Sequence, residues 1–379
     1  MKRAAKRKVV VYGGTFDPPH EGHMLLLSAA ARRLRPTAVW LLPALRSPLK
    51  SAPAESFDDR TAMLRAAAAE AGVRAGVSLF EKRRGRTTYT WQAIEYFRSL
   101  HPGAELYFLM GSDCLPGFHR WRRTDRILAS ARLLVGRRAG FPRGAGRRFS
   151  PVFLDGTFPE ESSTSLRAAL YCGDAPAGVP AAAMRIIRRR GLYLGRLREG
   201  ALRRLGPART RHTLACARLA CAIAAARGTD PRAAAAAALI HDYAKEMTPE
   251  ELVRESRRRG LRIPGFGETA RRAPQLLHSW VSAALAREEL GVDDPAVLRA
   301  AARHTLGHPS MGELDRTIFV ADMAAGDRSF PGVAGLRRLA LCDLDAAAAL
   351  AARLKVGWLR RSGKWIHPLG LKTCLRLNP

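Results

Sequence analysis

Gly13-Gly14-Thr15-Phe16-Asp17-Pro18-Pro19-His20-Glu21-Gly22-His23 decides how the first half of the chain folds. Residues 8–12 before it are apolar and β-rich, so the stretch leaves a strand. Residues 21–34 after it carry helical periodicity, so it opens a helix. The glycines let the backbone turn and come close to a ligand. The new helix presents unpaired N–H groups and a positive dipole end to an anion. His20 and His23 are three residues apart and fall on one side of the first turn. Two imidazole donors there suit a phosphoryl group whose charge grows in a transition state.

Outward from this stretch the alternation continues. Residues 38–42, 77–81, 105–110, 131–135 and 151–154 are strand-like, and 59–71 and 90–100 are helical. Further helices start at Ser163 and Pro180. Such alternation predicts an α/β domain, a parallel sheet covered by helices, over 1–198. From 199 strand-like runs vanish. Helical stretches follow at 208–227, 231–244, 249–259, 276–290, 294–305, 313–324 and 333–353, punctuated by Gly228, Pro249, Pro264, Gly291, Pro309 and Pro331. Residues 199–379 therefore read as an all-α bundle, with the junction near 195–200.

The 379 residues are 47% hydrophobic, enough for two cores, yet no apolar run approaches the roughly 18–20 residues that span a bilayer. The basic start is followed by too short an apolar stretch for a signal peptide. Six cysteines without a C-x-x-C pair read as reduced, and the expected location is cytoplasmic. The charge, 64 − 33 = +31, is carried by 55 Arg and 9 Lys. The arginines are spread along the chain, which favours a compositional bias over a polyanion-binding arm. There is no stacked aromatic platform and no RNA-binding motif, so neither nucleic acid nor membrane is an expected partner. Self-association is left open.

A second cluster, Glu161-Ser162-Ser163-Thr164-Ser165-Leu166-Arg167, puts hydroxyls at a helix start and an arginine one turn in, a set that would hold phosphate oxygens. Taken with 13–23, and with Arg60, Met63-Leu64, Thr88-Tyr89-Thr90, Gly111-Ser112-Asp113, Trp121, Arg138, Gly140-Phe141, Val179-Pro180 and Gly191-Leu192-Tyr193, residues 8–195 resemble the bacterial nicotinate-nucleotide adenylyltransferases, H-x-G-H nucleotidyltransferases with a Rossmann-like sheet. The resemblance implies that nicotinate mononucleotide attacks the α-phosphate of ATP, with Mg²⁺ on the triphosphate and no protein nucleophile. It implies phosphate contacts from His20, His23, Ser163, Thr164 and Arg167, and places Gly13, Gly14, Thr15, Phe16, Lys50, Gly111 and Arg138 in the nucleotide site. Asp113 would meet the ATP ribose. Thr90 and Trp121 would line the nicotinate side. Leu49, Glu161 and Gln92 depart from the family pattern. Pantetheine-phosphate adenylyltransferases share H-x-G-H, so substrate choice rests on the other motifs.

In the helical half His212, His241-Asp242, His278, His304 and Asp322 each sit on or beside an apolar face. Six such groups pointing inward need a compensating charge, which metal ions supply. Imidazole with carboxylate suits Fe, Mn, Co or Zn rather than Ca. The order H…HD…H…H…D resembles the HD-superfamily phosphohydrolases. Arg209, His241-Asp242-Tyr243-Ala244-Lys245, His304-Thr305, Phe319-x-Ala321-Asp322, Arg328, Phe330-Pro331-Gly332-Val333 and Ile366-His367-Pro368 match its symmetrical diadenosine tetraphosphate hydrolases. That resemblance implies two metals, often iron. His212, His241, Asp242 and Asp322 would hold one, His278 and His304 would complete the other with Asp242 bridging, and Lys245 would pair with a phosphate. Ala324-Ala325-Gly326 replaces the family's Ile-Glu-Pro and removes a carboxylate. Alternatives stay open: an HD half acting on other nucleoside polyphosphates, alarmones included, one serving as a regulatory nucleotide-binding module, or an RNA-binding protein using the +31 charge.

Overall fold

The computed structural model describes residues 6–46, 52–138, 141, 146–159 and 161–378; Leu49, Lys50 and Gly140 lie outside them. The chain forms two compact units, Met1–Arg167 with Ala175–Tyr193, and Ala168–Asp174 with Leu194–Pro379.

In the first unit six strands make one sheet among the described residues: β1 (Lys8–Gly14), β2 (Ala38–Pro43), β3 (Gly76–Val77), β4 (Glu105–Gly111), β5 (Arg132–Arg138) and β6 (Val152–Phe158), in the order β3-β2-β1-β4-β5-β6. All pairings are parallel; Val10 of β1 lies opposite Val39 on one side and Tyr107 on the other. Both faces are buried, which explains the unbroken apolar run Val9-Val10-Val11. Alternate residues feed two cores. Val10, Tyr12, Leu41, Leu109 and Leu134 join one with Leu27 of the helix Glu21–Leu34. Val9, Val11, Leu42, Phe108 and Val135 join the other with Ile94 and Phe97 of Thr90–Leu100. The strand order reverses between β1 and β4, so the crevice beyond their carboxyl ends is where ligands of such sheets bind.

The second unit is helical. Proline opens Pro207–Arg227, Pro231–Ile240, Pro249–Arg258, Pro295–Arg303 and Pro368–Leu377, where its missing N–H costs nothing. Asp230, Thr248, Asp294 and Asp343 accept the first orphan amides of the helices that follow them. Residues 234–240 are all buried, so the alanine tract is a helix packed on every side. One core of this unit gathers Tyr243, Leu252, Leu277, Val281 and Leu285.

The structure departs from the sequence reading in several elements; the stretch 231–244, for one, stops being helical at Ile240. Residues 77–81 are not one strand: β3 ends at Val77 and Phe80–Arg84 is a helix. The stretch 333–353 is two helices, Val333–Cys342 and Leu344–Arg361, because Asp343 turns out and caps the second. Residues 195–202 form the helix Gly195–Leu202. Among the described residues no helix is long and apolar enough to cross a membrane.

Candidate functional site

Gly13 and Gly14 end β1, and the chain passes through 15–20 into the helix Glu21–Leu34. His20 is the N-cap residue and only 3% exposed. Its backbone N–H donates to His23 Nδ1 at 3.1 Å, which leaves the His23 ring proton on Nε2. The two rings stack with centroids 3.5 Å apart. Glycine at 22 leaves room for the His20 ring, from which a Cβ there would stand only 3.1 Å. Phe16 holds left-handed backbone (φ 51°) and buries its ring 4.9 Å from that of His23. Such strain in a bulky residue persists only where the surroundings fix it.

The surroundings do so with charged and buried groups. Arg60, 1% exposed, donates to the carbonyls of Thr15 (2.7 Å), Ala44 (2.8 Å) and Glu55 (3.2 Å). The Asp17 carboxylate accepts the Tyr193 hydroxyl at 2.8 Å and the Ala54 amide at 2.6 Å. From the helix Ser163–Tyr171, Ser163 Oγ donates to Pro18 O at 3.0 Å and Arg167 to Asp17 O at 2.7 Å, while Arg167 also donates to Thr164 Oγ1. Two helix N-termini therefore close on one loop.

Gly13, Gly14, Thr15, Phe16, His20, His23, Gly111, Asp113, Trp121, Arg138, Ser163, Thr164 and Arg167 line one cavity of about 500 Å³ at the ends of β1 and β4. Arg138 Nε pairs with Asp113 at 3.0 Å, and the Glu161 carboxylate lies 4.0 Å from His20 Nδ1. Thr90 is not among the lining residues. It starts its helix beside Tyr89, whose amide donates to Gln92 Oε1 at 3.1 Å.

In the second unit His212 comes from Pro207–Arg227, His241 and Asp242 follow Pro231–Ile240, His278 opens His278–Leu290, His304 follows Pro295–Arg303, and Asp322 comes from Glu313–Ala324. All four imidazoles are buried. Three are turned by their own helix ends: Nδ1 of His241, His278 and His304 donates to the carbonyls of Ala238 (2.6 Å), Gln275 (2.6 Å) and Ala301 (2.7 Å). Nδ1 of His212 instead meets the Asp327 carboxylate at 3.0 Å. Every Nε2 is thus directed at the Asp242 and Asp322 carboxylates. His278 Nε2 and His304 Nε2 face one another at 3.1 Å, two acceptors with no proton between them. Burial pushes His278 below the ordinary imidazole range and His304 down to about 4.

His212, His241 and Asp242 form one group able to hold a metal ion, and Asp242, His278 and His304 form another. Asp322 Oδ1 lies 2.9 Å from His212 Nε2. Burial opposes the charge on Asp242, but the adjacent His241 outweighs it and holds the carboxyl well below its usual range. Converging acceptors around two carboxylates fit divalent cations, which convert the repulsion into coordination. Around them Arg209 reaches Asp242 Oδ2 (2.7 Å), Arg328 reaches Asp322 (3.0 Å), and Lys245 Nζ lies 3.2 Å from His278 Nε2.

Sequence reasoning passed over Asp327. Its signal was present, since an acidic residue follows directly on the Ala324-Ala325-Gly326 gap. The anchoring by Arg60, Asp17 and Tyr193 was also missed, because partners such as Thr15 and Arg60, 45 residues apart, or Asp17 and Tyr193, 176 apart, leave no local spacing.

Residues 11–169 match the cytidylyltransferase-like family model and 209–327 the HD domain model. A Mycoplasma pneumoniae protein, "Probable nicotinate-nucleotide adenylyltransferase/Ap4A hydrolase", is 27% identical over 83% of this chain and 87% of its own. A Neisseria gonorrhoeae "Probable nicotinate-nucleotide adenylyltransferase" is 35% identical over 49% of this chain and 98% of its own. Among solved structures, a predicted HD superfamily hydrolase from Clostridium acetobutylicum is 29% identical, with TM-score 0.45, over 48% of this chain and 94% of its own. The chain belongs to the nicotinate-nucleotide adenylyltransferase family, with an HD domain on the same polypeptide.

Proposed function

We propose that the chain is a bifunctional enzyme. Its first unit transfers the adenylyl group of ATP to nicotinate mononucleotide, giving deamido-NAD and pyrophosphate. Its second hydrolyses diadenosine tetraphosphate to two ADP. The observation that carries the first assignment is the stacked His20–His23 pair at a helix start, facing a second helix start at Ser163. A phosphate oxygen of the mononucleotide attacks the α-phosphorus, and the bond to the bridging oxygen breaks as pyrophosphate leaves. On this reading the His23 Nε2 proton and His20 stabilise charge on the α-phosphate, while Ser163, Thr164 and Arg167 take the leaving pyrophosphate. Asp113 with Arg138 receives the ribose, and Trp121 lines the pyridine side. Mg²⁺ on the triphosphate neutralises further charge.

For the second unit the supporting observation is the set of four histidines with Nδ1 anchored and Nε2 inward. His212, His241, Asp242 and Asp322 would hold one divalent ion. His278 and His304 would hold a second, with Asp242 shared and iron the expected metal. Such ions polarise the phosphate and activate water. Arg209 holds Asp242 in place, and Lys245 offers an ammonium to a phosphate oxygen of the substrate. Water adds to one inner phosphorus, the central P–O–P bridge breaks, and the proton passes to the departing ADP.

Purified protein incubated with ATP and nicotinate mononucleotide should yield deamido-NAD. Incubated with diadenosine tetraphosphate, it should yield ADP alone. AMP with ATP in the second reaction would contradict symmetrical cleavage. Bound metal without any cleavage would make the HD half a regulatory module.

A further inference from the structure

Glu161 departs from the family pattern, and it brings a carboxylate into a cavity otherwise suited to phosphate oxygens. Its Oε1 packs against Gly178, where a Cβ would stand 2.7 Å away. Its Oε2 is shut off from solvent and accepts no hydrogen bond among the described residues. A carboxylate oxygen left in that state is costly, and beside a triphosphate it repels. The basic atom that faces it is His20 Nδ1, 4.0 Å away and also shut off from solvent.

The other charged groups around the pair are engaged elsewhere. Arg138 donates to the Glu161 carbonyl at 3.4 Å, while its Nε pairs with Asp113 at 3.0 Å. Arg167 is turned to the Asp17 carbonyl and to Thr164. The Asp17 carboxylate accepts from Tyr193 and Ala54. Glu21, next in the chain to His20, is a second carboxylate on this side; burial, then Glu70 and Glu161, push its carboxyl above the ordinary range. His23 cannot take a further proton on Nδ1 without losing the His20 amide, which that nitrogen accepts at 3.1 Å. The start of the helix Glu21–Leu34 disfavours a cation at its cap, so His20 needs a carboxylate to become one.

We propose that Glu161 is a positioning residue for adenylyl transfer: it holds a proton on His20 Nδ1, so that His20 meets the α-phosphate through Nε2 as an imidazolium. This rests on the adenylyltransferase reading above and names what keeps one ring of the stacked pair charged. Two cationic rings with centroids 3.5 Å apart would repel, whereas one charged ring over one neutral ring does not. A charged donor makes a hydrogen bond roughly twice as strong as a neutral one, where phosphate charge grows. The gap between Glu161 and His20 closes as substrate fills the cavity, as catalytic hydrogen bonds commonly do.

The test follows deamido-NAD formation by the full chain from about pH 6 to 9, in the parent and in Glu161→Gln. A carboxylate favours the imidazolium, so its removal releases the proton at lower pH. The alkaline fall in kcat should begin about one pH unit lower in Glu161→Gln, and the ratio of kcat at the acid end to kcat at the alkaline end should rise about 10-fold. In a His20→Asn background the same substitution should leave that ratio unchanged, because the carboxylate acts through His20. An equal loss at every pH, an unmoved profile, or a shift that persists without His20 would each overturn the proposal. If the parent makes no deamido-NAD, the transferase reading fails and the pair is judged by NMR titration of the histidine rings, with His20→Asn assigning the signal. The His20 midpoint should then drop about one pH unit in Glu161→Gln, and equal midpoints would overturn the pairing.

Discussion

At the scale of single residues, His20 and His23 divide one task. His23 Nδ1 is occupied by the His20 amide, so its donor is Nε2; His20 is held by stacking and by Glu161 at 4.0 Å. His20→Ala or His23→Ala should each lower dinucleotide synthesis about 100-fold or more, the scale of a lost transition-state donor. Hydrolysis of diadenosine tetraphosphate should not change, and near-normal synthesis in both variants would refute the assignment. These two histidines were legible because the loop that carries them is contiguous. Asp327 was not. The family pattern places a carboxylate at the position of Ala325, and only the turn after Asp322 shows that one two residues later reaches His212. A carboxylate on the outer nitrogen of a metal-binding imidazole fixes its tautomer and raises its basicity. Asp327→Ala should therefore weaken metal retention about 10- to 100-fold, read by competition with a chelator, whereas Asp327→Asn, which still offers a carbonyl acceptor, should lose less. Equal retention in all three proteins would remove Asp327 from the site.

At the scale of elements, the periodicities of 21–34, 90–100 and 313–324 survive in the structure as Glu21–Leu34, Thr90–Leu100 and Glu313–Ala324. The first two each turn an apolar stripe to one core, while residues 317–321 of the third are all buried. The reading failed where a tertiary contact overrides local preference. Residues 77–81 look β-rich, yet the chain turns after Val77 and buries Glu81, whose Oε2 accepts the Leu45 amide at 2.9 Å. Lys82-Arg83-Arg84 in the last turn complements the dipole of the helix that results. Burial pushes the Glu81 carboxyl from 4.5 up to about 7, with the Leu45 amide and Arg60 offsetting part of the cost. A folded value above the unfolded one means that the native state holds the extra proton between those limits. Stability from this site is present below about pH 4.5 and falls as pH rises through 7. The parent should lose about 2–3 kcal/mol between pH 5 and 8 from this group, and Glu81→Gln, which keeps the carbonyl acceptor, should flatten that slope. Urea midpoints at the two pH values provide the measurement; parallel slopes in parent and variant would show that Glu81 is charged throughout.

For the whole molecule, the change of periodicity near 199 announced two folding regimes, and each unit does bury its own apolar clusters. Unforeseen from periodicity was that residues 168–174, which end the helix Ser163–Tyr171, belong with the helical unit. Asp174 pairs with Arg218 at 2.7 Å, and Arg198 donates to the Leu170 carbonyl at 3.1 Å. Cutting between 198 and 199 would strip the helical unit of residues 168–174 and 194–198, Asp174 of the Arg218 pair among them, so point variants test the independence of the two activities better than fragments do. The two sets of side chains do not interleave: the first cavity draws on residues 12–167 and the histidine–aspartate centre on 212–327. Asp242 is common to both metal-holding groups, and its removal deprives each of a ligand. Asp242→Ala should therefore abolish hydrolysis of diadenosine tetraphosphate and lower metal content, while dinucleotide synthesis stays within a few-fold of the parent, because no residue near 242 lines the first cavity. His20→Ala should do the reverse. Arg209, left without its carboxylate partner in Asp242→Ala, makes some loss of stability inevitable, so circular dichroism and an unfolding midpoint belong with the assays. If Asp242→Ala stayed folded and lost both activities together, two independent sites could not stand, and a single composite site would have to replace them.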